Sequence, residues 1–119
     1  MDGVALRVSD PSTGADSYRG YLVFFDTHVG DFVIAREDYA YEPLATVPVT
    51  GGVAAGSWYQ ITVQAVGSRI SAILARAGGS PVASLAVTDP YNSVPTGAVA
   101  LRDFAGTASW RDIAVTPLR

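Results

Sequence analysis

The chain has no cysteine and no lysine, and it has one histidine in 119 residues. Without cysteine there is no disulfide, no thiolate metal site and no cysteine nucleophile. A single histidine, His28, excludes a multi-histidine metal centre and leaves any Ser-His-Asp triad dependent on that one residue; its surroundings read as a turn between strands. The eight basic residues are all arginine, scattered singly, and the net charge is −3. A nucleic-acid surface needs clustered cations to neutralise phosphates, so that class of partner is not expected. Gly, Pro, Asp and Ser interrupt every apolar stretch before it could span a membrane. Met1-Asp2-Gly3-Val4 carries neither a basic segment nor a long apolar run, so no signal peptide is expected within this sequence.

What is present is apolar and short in period. Hydrophobic residues make up 49% of the chain and charged ones 16%, a balance suited to one folded domain over residues 1–119 with a sizeable core. The clearest signal is Trp58 to Leu74. Apolar and polar residues alternate on both sides of Gly67-Ser68, which predicts a β-hairpin with Tyr59, Ile61, Val63 and Ala65 on one face and Ile70, Ala72 and Leu74 on the matching face of the return strand. Further runs predict strands at Val4–Val8, Gly20–Asp26, Asp31–Arg36, Pro43–Val49, Trp58–Val66, Arg69–Arg76, Val82–Thr88, Ala98–Phe104 and Ala108–Val115, nine in all. Turn residues such as Pro11-Ser12-Thr13-Gly14, Thr50-Gly51-Gly52, Gly78-Gly79-Ser80-Pro81 and Asp89-Pro90-Tyr91-Asn92-Ser93 separate them. The spacing suits an all-β sandwich or barrel, and Trp110 is expected in the same core as the hairpin.

The order of several motifs carries a resemblance. Gly20-Tyr21-Leu22-Val23-Phe24-Phe25-Asp26, Phe32-Val33-Ile34-Ala35-Arg36, Ser57-Trp58-Tyr59-Gln60-Ile61-Thr62-Val63, Gly97-Ala98-Val99-Ala100-Leu101-Arg102 and Ala108-Ser109-Trp110-Arg111-Asp112-Ile113-Ala114-Val115 follow one another over roughly residues 4 to 116. This resembles the C-terminal sandwich of levanases and inulinases and the related fructan-binding modules. The resemblance implies an antiparallel, jelly-roll, concanavalin A-like β-sandwich, here truncated or rearranged because strands that precede the Val4–Val8 segment in that group are missing. Missing strands leave unpaired edges and a partly uncovered core, which predicts a homo-oligomer or a partner that supplies the absent strands.

Arg36-Glu37-Asp38-Tyr39-Ala40-Tyr41-Glu42 is the densest polar run, with one guanidinium, three carboxylates and two tyrosines. It reads either as a solvated loop or as a sugar contact, because carboxylates accept from vicinal hydroxyls, arginine donates to sugar oxygens, and aromatic faces stack on C–H surfaces. Asp89, with Tyr91 and Asn92, stands where the resembled modules place an acidic residue near ligand; Asp before Pro is equally a turn former. Arg102 suggests an ion pair with Asp103 or Asp112. Of Trp58 and Tyr59, at least one is expected to pack rather than bind. Glu37, Asp38, Glu42 and Asp89 are the carboxylates from which a glycosidase pair could be drawn, but the resembled fructanases carry catalysis on a separate propeller domain. A calcium site suits this kind of fold, yet no Asp-x-Asp-x-Asp loop marks one, so no metal and no cofactor are expected.

The reading is therefore a non-catalytic carbohydrate-binding module for a polysaccharide such as fructan, with Arg36, Glu37, Tyr39, Asp89 and Tyr91 as ligand contacts and no membrane partner. It would act as part of a larger secreted or cell-surface protein. The alternative is an assembly β-domain that joins a second chain through an open sheet edge and binds no sugar.

Overall fold

The computed structural model describes residues 1–91, 96–104 and 107–116. They form an all-β sandwich of two antiparallel sheets: β1 (Asp2–Ser9), β2 (Arg19–Asp26), β3 (Asp31–Asp38), β4 (Tyr41–Pro48), β5 (Tyr59–Val66), β6 (Arg69–Arg76), β7 (Pro81–Thr88) and β8 (Ala98–Asp103). The larger sheet runs β4-β3-β2-β1-β8 and the smaller β5-β6-β7.

The sequence explains the division. β2 and β3 are almost continuously apolar, and both are buried on both faces, from Gly20 to Phe24 and from Phe32 to Glu37. Tyr21, Val23, Phe32 and Ile34 point toward the smaller sheet and meet Ile70, Ala72, Leu74 and Ala83. Leu22, Phe24, Val33 and Ala35 point the other way and form a second cluster with Ala5, covered in part by Met1, Val8, Tyr18 and Ala100. β5, by contrast, alternates strictly between half-buried and exposed positions, as a strand with one wet face should. The predicted hairpin is present with full pairing from Tyr59↔Arg76 to Val66↔Arg69, and Gly67 takes a positive φ of 57° at the first connecting position, where glycine adopts that conformation without steric penalty.

Among the described residues eight strands stand where nine were expected. Residues 107–116 have no strand partner among the described residues; Trp110 is half-buried, and Ile113 and Val115 are exposed rather than in the core. Alternation alone does not make a strand, which needs a ladder for its backbone groups. Asp112, at φ 54°, breaks the extended run. The segment instead lies by the start of β5, where the Arg111 guanidinium sits 4.3 Å from the Trp58 ring. Trp58 is thus largely at the surface, and Tyr59 is the packing aromatic, in contact with the core.

The smaller sheet packs over β3 and beside β4 through β7 and β6. It does not cover the far side: Val99 and Leu101 of β8, on the face that carries Val4, stay 42% and 41% exposed. β4, β8, β5 and β7 are edges within their sheets.

Candidate functional site

Alternation along β3 sorts the polar run into two sites on opposite faces. Arg36 follows Phe32 and Ile34 toward the smaller sheet, while Glu37 follows Val33 and Ala35 away from it.

At the first site the Arg36 guanidinium is sandwiched at the end of the core. Its Nη1 donates to Asp89 Oδ1 at 2.7 Å, and its Nη2 pairs with Glu42. Asp89 arrives from the residue after β7, its own amide donating to the Ser68 carbonyl at 2.8 Å. The Tyr21 hydroxyl donates to Asp89 Oδ2 at 2.5 Å, and the Tyr91 amide to Oδ1 at 3.1 Å. The Asp89 side chain is fully buried and that of Arg36 nearly so, so this network ties the two sheets together. Burial disfavours the Arg36 charge, but the hydrogen bond to Glu42 and the charge of Asp89 outweigh it and hold the guanidinium charged above its ordinary range. Above the pair the Tyr91 ring stands 5.3 Å from the guanidinium carbon and is 75% exposed. Around it opens a hollow of about 540 Å3 lined by Arg36, Asp38, Ala40, Tyr41, Glu42 and Tyr91. One tyrosine ring, two carboxylates and one guanidinium edge therefore face a common space at the ends of β3 and β4, while the Tyr41 ring turns to the outer face of the sheet, 6.2 Å from Phe24.

At the second site, Glu37 is fully buried on the outer face of the larger sheet. Arg102 of β8 donates from Nη1 to Glu37 Oε1 at 3.2 Å and from Nη2 to Asp16 Oδ1 at 2.9 Å, with the Tyr18 hydroxyl 3.4 Å from Nη1. Glu37 Oε2 has no hydrogen-bond partner among the described residues. Desolvation first, then a hydrogen bond and negative charge from Asp16, overcome the pull of Arg102 and raise the Glu37 carboxyl to about 7. The register makes room for these long side chains: Arg102 lies opposite Gly3 and Glu37 opposite Gly20.

Of the five residues expected to touch ligand, the structure brings Arg36 and Tyr91 to the hollow and places Asp89 beneath it, too buried to be a contact. Glu37 faces the opposite side of the sheet and is no part of the hollow. Tyr39, at φ 56° in the β3–β4 turn, donates its hydroxyl to the Asp10 carbonyl at 2.6 Å and does not line it. Asn92 lies outside the described residues. Arg102 pairs with Glu37 and Asp16, not with Asp103 or Asp112; alternation puts Asp103 on the opposite face. Tyr41, Glu42 and Asp38 belong to the recognised polar run but were not among the expected contacts, although their period-two spacing from Arg36 singles out Asp38. Tyr21 was hidden in an apolar stretch with nothing local to mark its hydroxyl. His28 sits exposed in the β2–β3 turn, its amide donating to Asp26 Oδ1 at 2.8 Å. No protein-family model matches the chain, and neither a curated protein nor a solved structure matches it.

Proposed function

We propose that the chain is a non-catalytic carbohydrate-binding module that takes its ligand in the hollow at the ends of β3 and β4. The observation that carries this reading is the convergence of the exposed Tyr91 ring with Asp38, Glu42 and the Arg36 guanidinium around one open space. Ring faces accept the C–H side of a sugar, carboxylates accept from its hydroxyls, and the guanidinium edge donates to its oxygens. Asp89 acts one layer down by fixing Arg36. On this reading the resemblance to levanase and inulinase sandwiches makes fructan the first polysaccharide to test, and the module would hold a larger secreted or cell-surface protein near its substrate through effective concentration. Titration calorimetry with fructo-oligosaccharides and a glycan array are the test. Tyr91→Ala and Glu42→Gln should each weaken binding by roughly 1–3 kcal/mol; no glycan bound, or affinity unmoved by both changes, overturns the reading.

The assembly reading is favoured by a separate observation, the half-exposed Val99 and Leu101 on the open edge strand β8. On that reading a second copy covers the uncovered face of β8. Light scattering on a sizing column decides it, a monomer at micromolar concentration removing it.

A further inference from the structure

Three groups from distant parts of the chain meet on the outer face of the larger sheet: Glu37 from β3, Arg102 from β8, and Asp16 from the β1–β2 loop. The loop itself is held sparsely. Ser12 N donates to Ser17 O at 2.7 Å, Tyr39 donates its amide to Tyr18 O at 3.1 Å and its hydroxyl to Asp10 O, and Asp16 is in a left-handed conformation at φ 57°. Arg102 is the side chain that reaches from the sheet to Asp16. Tyr18, at the end of the loop, packs on the apolar cluster of Leu22, Phe24 and Ala35.

Two carboxylates thus share one guanidinium, and one oxygen of the fully buried Glu37 has no donor. By taking both carboxylates on one guanidinium, Arg102 holds Asp16 and Glu37 as neighbours, and beyond desolvation Asp16 is the side chain whose negative charge and hydrogen-bonding capacity push the Glu37 carboxyl up. Two ionised carboxylates have no proton to place between them, so as anions they repel; with a proton on Glu37, the same pair becomes a donor and an acceptor. The groups facing Glu37 are Arg102 from β8, Asp16 and Tyr18 from the loop and the start of β2, and Tyr41 from β4. Of these only Arg102 is a cation, and it is already shared.

We infer that Glu37, Asp16 and Arg102 form a proton-operated latch: with Glu37 protonated, the carboxyl–carboxylate bond and the guanidinium hold the β1–β2 loop and Tyr18 down over the outer apolar cluster, and loss of that proton loosens the loop. The raised titration of Glu37, to about 7, sets the change near neutrality. The latch stands apart from the carbohydrate reading, since no residue of it except its neighbour Tyr41 lines the hollow.

Backbone amide exchange on the intact chain tests it. At about pH 6 and about pH 8.5, corrected for intrinsic exchange, the amides of Ser12 and Tyr39 should lose protection by roughly tenfold or more at the higher pH. Glu37→Gln, which stays neutral and can still donate to Asp16, should keep them protected at both. Equal protection of the wild-type amides at the two pH values, or the same pH dependence in E37Q as in wild type, overturns the latch. A carbon-13 titration of the Glu37 carboxyl gives an independent reading: a midpoint near neutrality supports the latch, and one below about pH 5 overturns it.

Discussion

Asp89 looks like a turn residue in sequence and works as the buried counter-ion of Arg36. Removing it leaves a guanidinium inside the sandwich with Glu42 as its remaining acidic partner and strips the Tyr21 hydroxyl of an acceptor. Breaking a buried pair from one side costs about 3–5 kcal/mol, so Asp89→Ala should be among the most destabilising changes in the chain, with Tyr21→Phe costing roughly 1–2 kcal/mol; urea denaturation of the two variants checks both. Any loss of sugar binding in Asp89→Ala therefore has to be read together with a lower stability, whereas Tyr91→Ala, on an exposed ring, should leave the midpoint nearly unchanged. Glu37 makes the stability pH-dependent in an unusual direction for a carboxyl. Its folded value, about 7, lies above the ordinary 4.5, so between those limits the folded state binds more protons than the unfolded one, and stability falls as pH rises through the window. The full effect is on the order of 3 kcal/mol. Asp2, raised by burial and by its hydrogen bond with Asp103, adds in the same direction. Melting curves from about pH 4.5 to about pH 8 should show the decline, and Glu37→Gln should flatten most of it.

At the scale of a strand, β6 offers the cleanest comparison. Ile70 and Ile73 sit three residues apart on opposite faces, the first fully buried and the second 42% exposed. Ile70→Ala should cost about 2–5 kcal/mol through lost burial and a cavity, and Ile73→Ala well under half of that; chemical denaturation separates them. Period-two alternation made this hairpin legible to within a residue, and the continuous apolar runs marked β2 and β3. What the runs did not reveal is that their continuity means two buried faces, so that Arg36 and Glu37, adjacent in sequence, serve separate sites. The Arg36 and Tyr91 halves of the hollow were readable from residue chemistry; Asp89 was singled out for the right neighbourhood but for a surface role, because nothing local shows that Tyr21 and Arg36 will close over it. The expected strand at 108–115 failed for a related reason. Its pattern is that of a strand, but pairing is a property of two segments, and among the described residues no ladder receives it. Gly3 shows how tight a paired position can be: a methyl group there would meet the Val23 carbonyl and lie 2.6 Å from the Phe24 Cα, room that only glycine leaves in the middle of the sheet.

For the molecule as a whole, the uncovered face of β8 gives the assembly reading its sharpest form. Replacing Leu101 with Asp should abolish any dimer seen by light scattering while leaving a folded monomer, since the side chain is already half in water; a dimer that survives the change does not use this face. The same strand also has a place in time. β1–β2, β2–β3, β3–β4, β5–β6 and β6–β7 are hairpin-type pairs of consecutive strands, whereas β8 must find β1 from the other end of the chain, matching Asp2 with Asp103 and Val4 with Leu101. Closing so long a loop is entropically costly before its contacts form, and the closure brings Arg102 to Glu37 only at that moment. The β1–β8 ladder should therefore form after the folding barrier, and weakening it should accelerate unfolding while leaving the refolding rate almost untouched. The outer-face carboxylate would spend the early part of every folding event without its arginine.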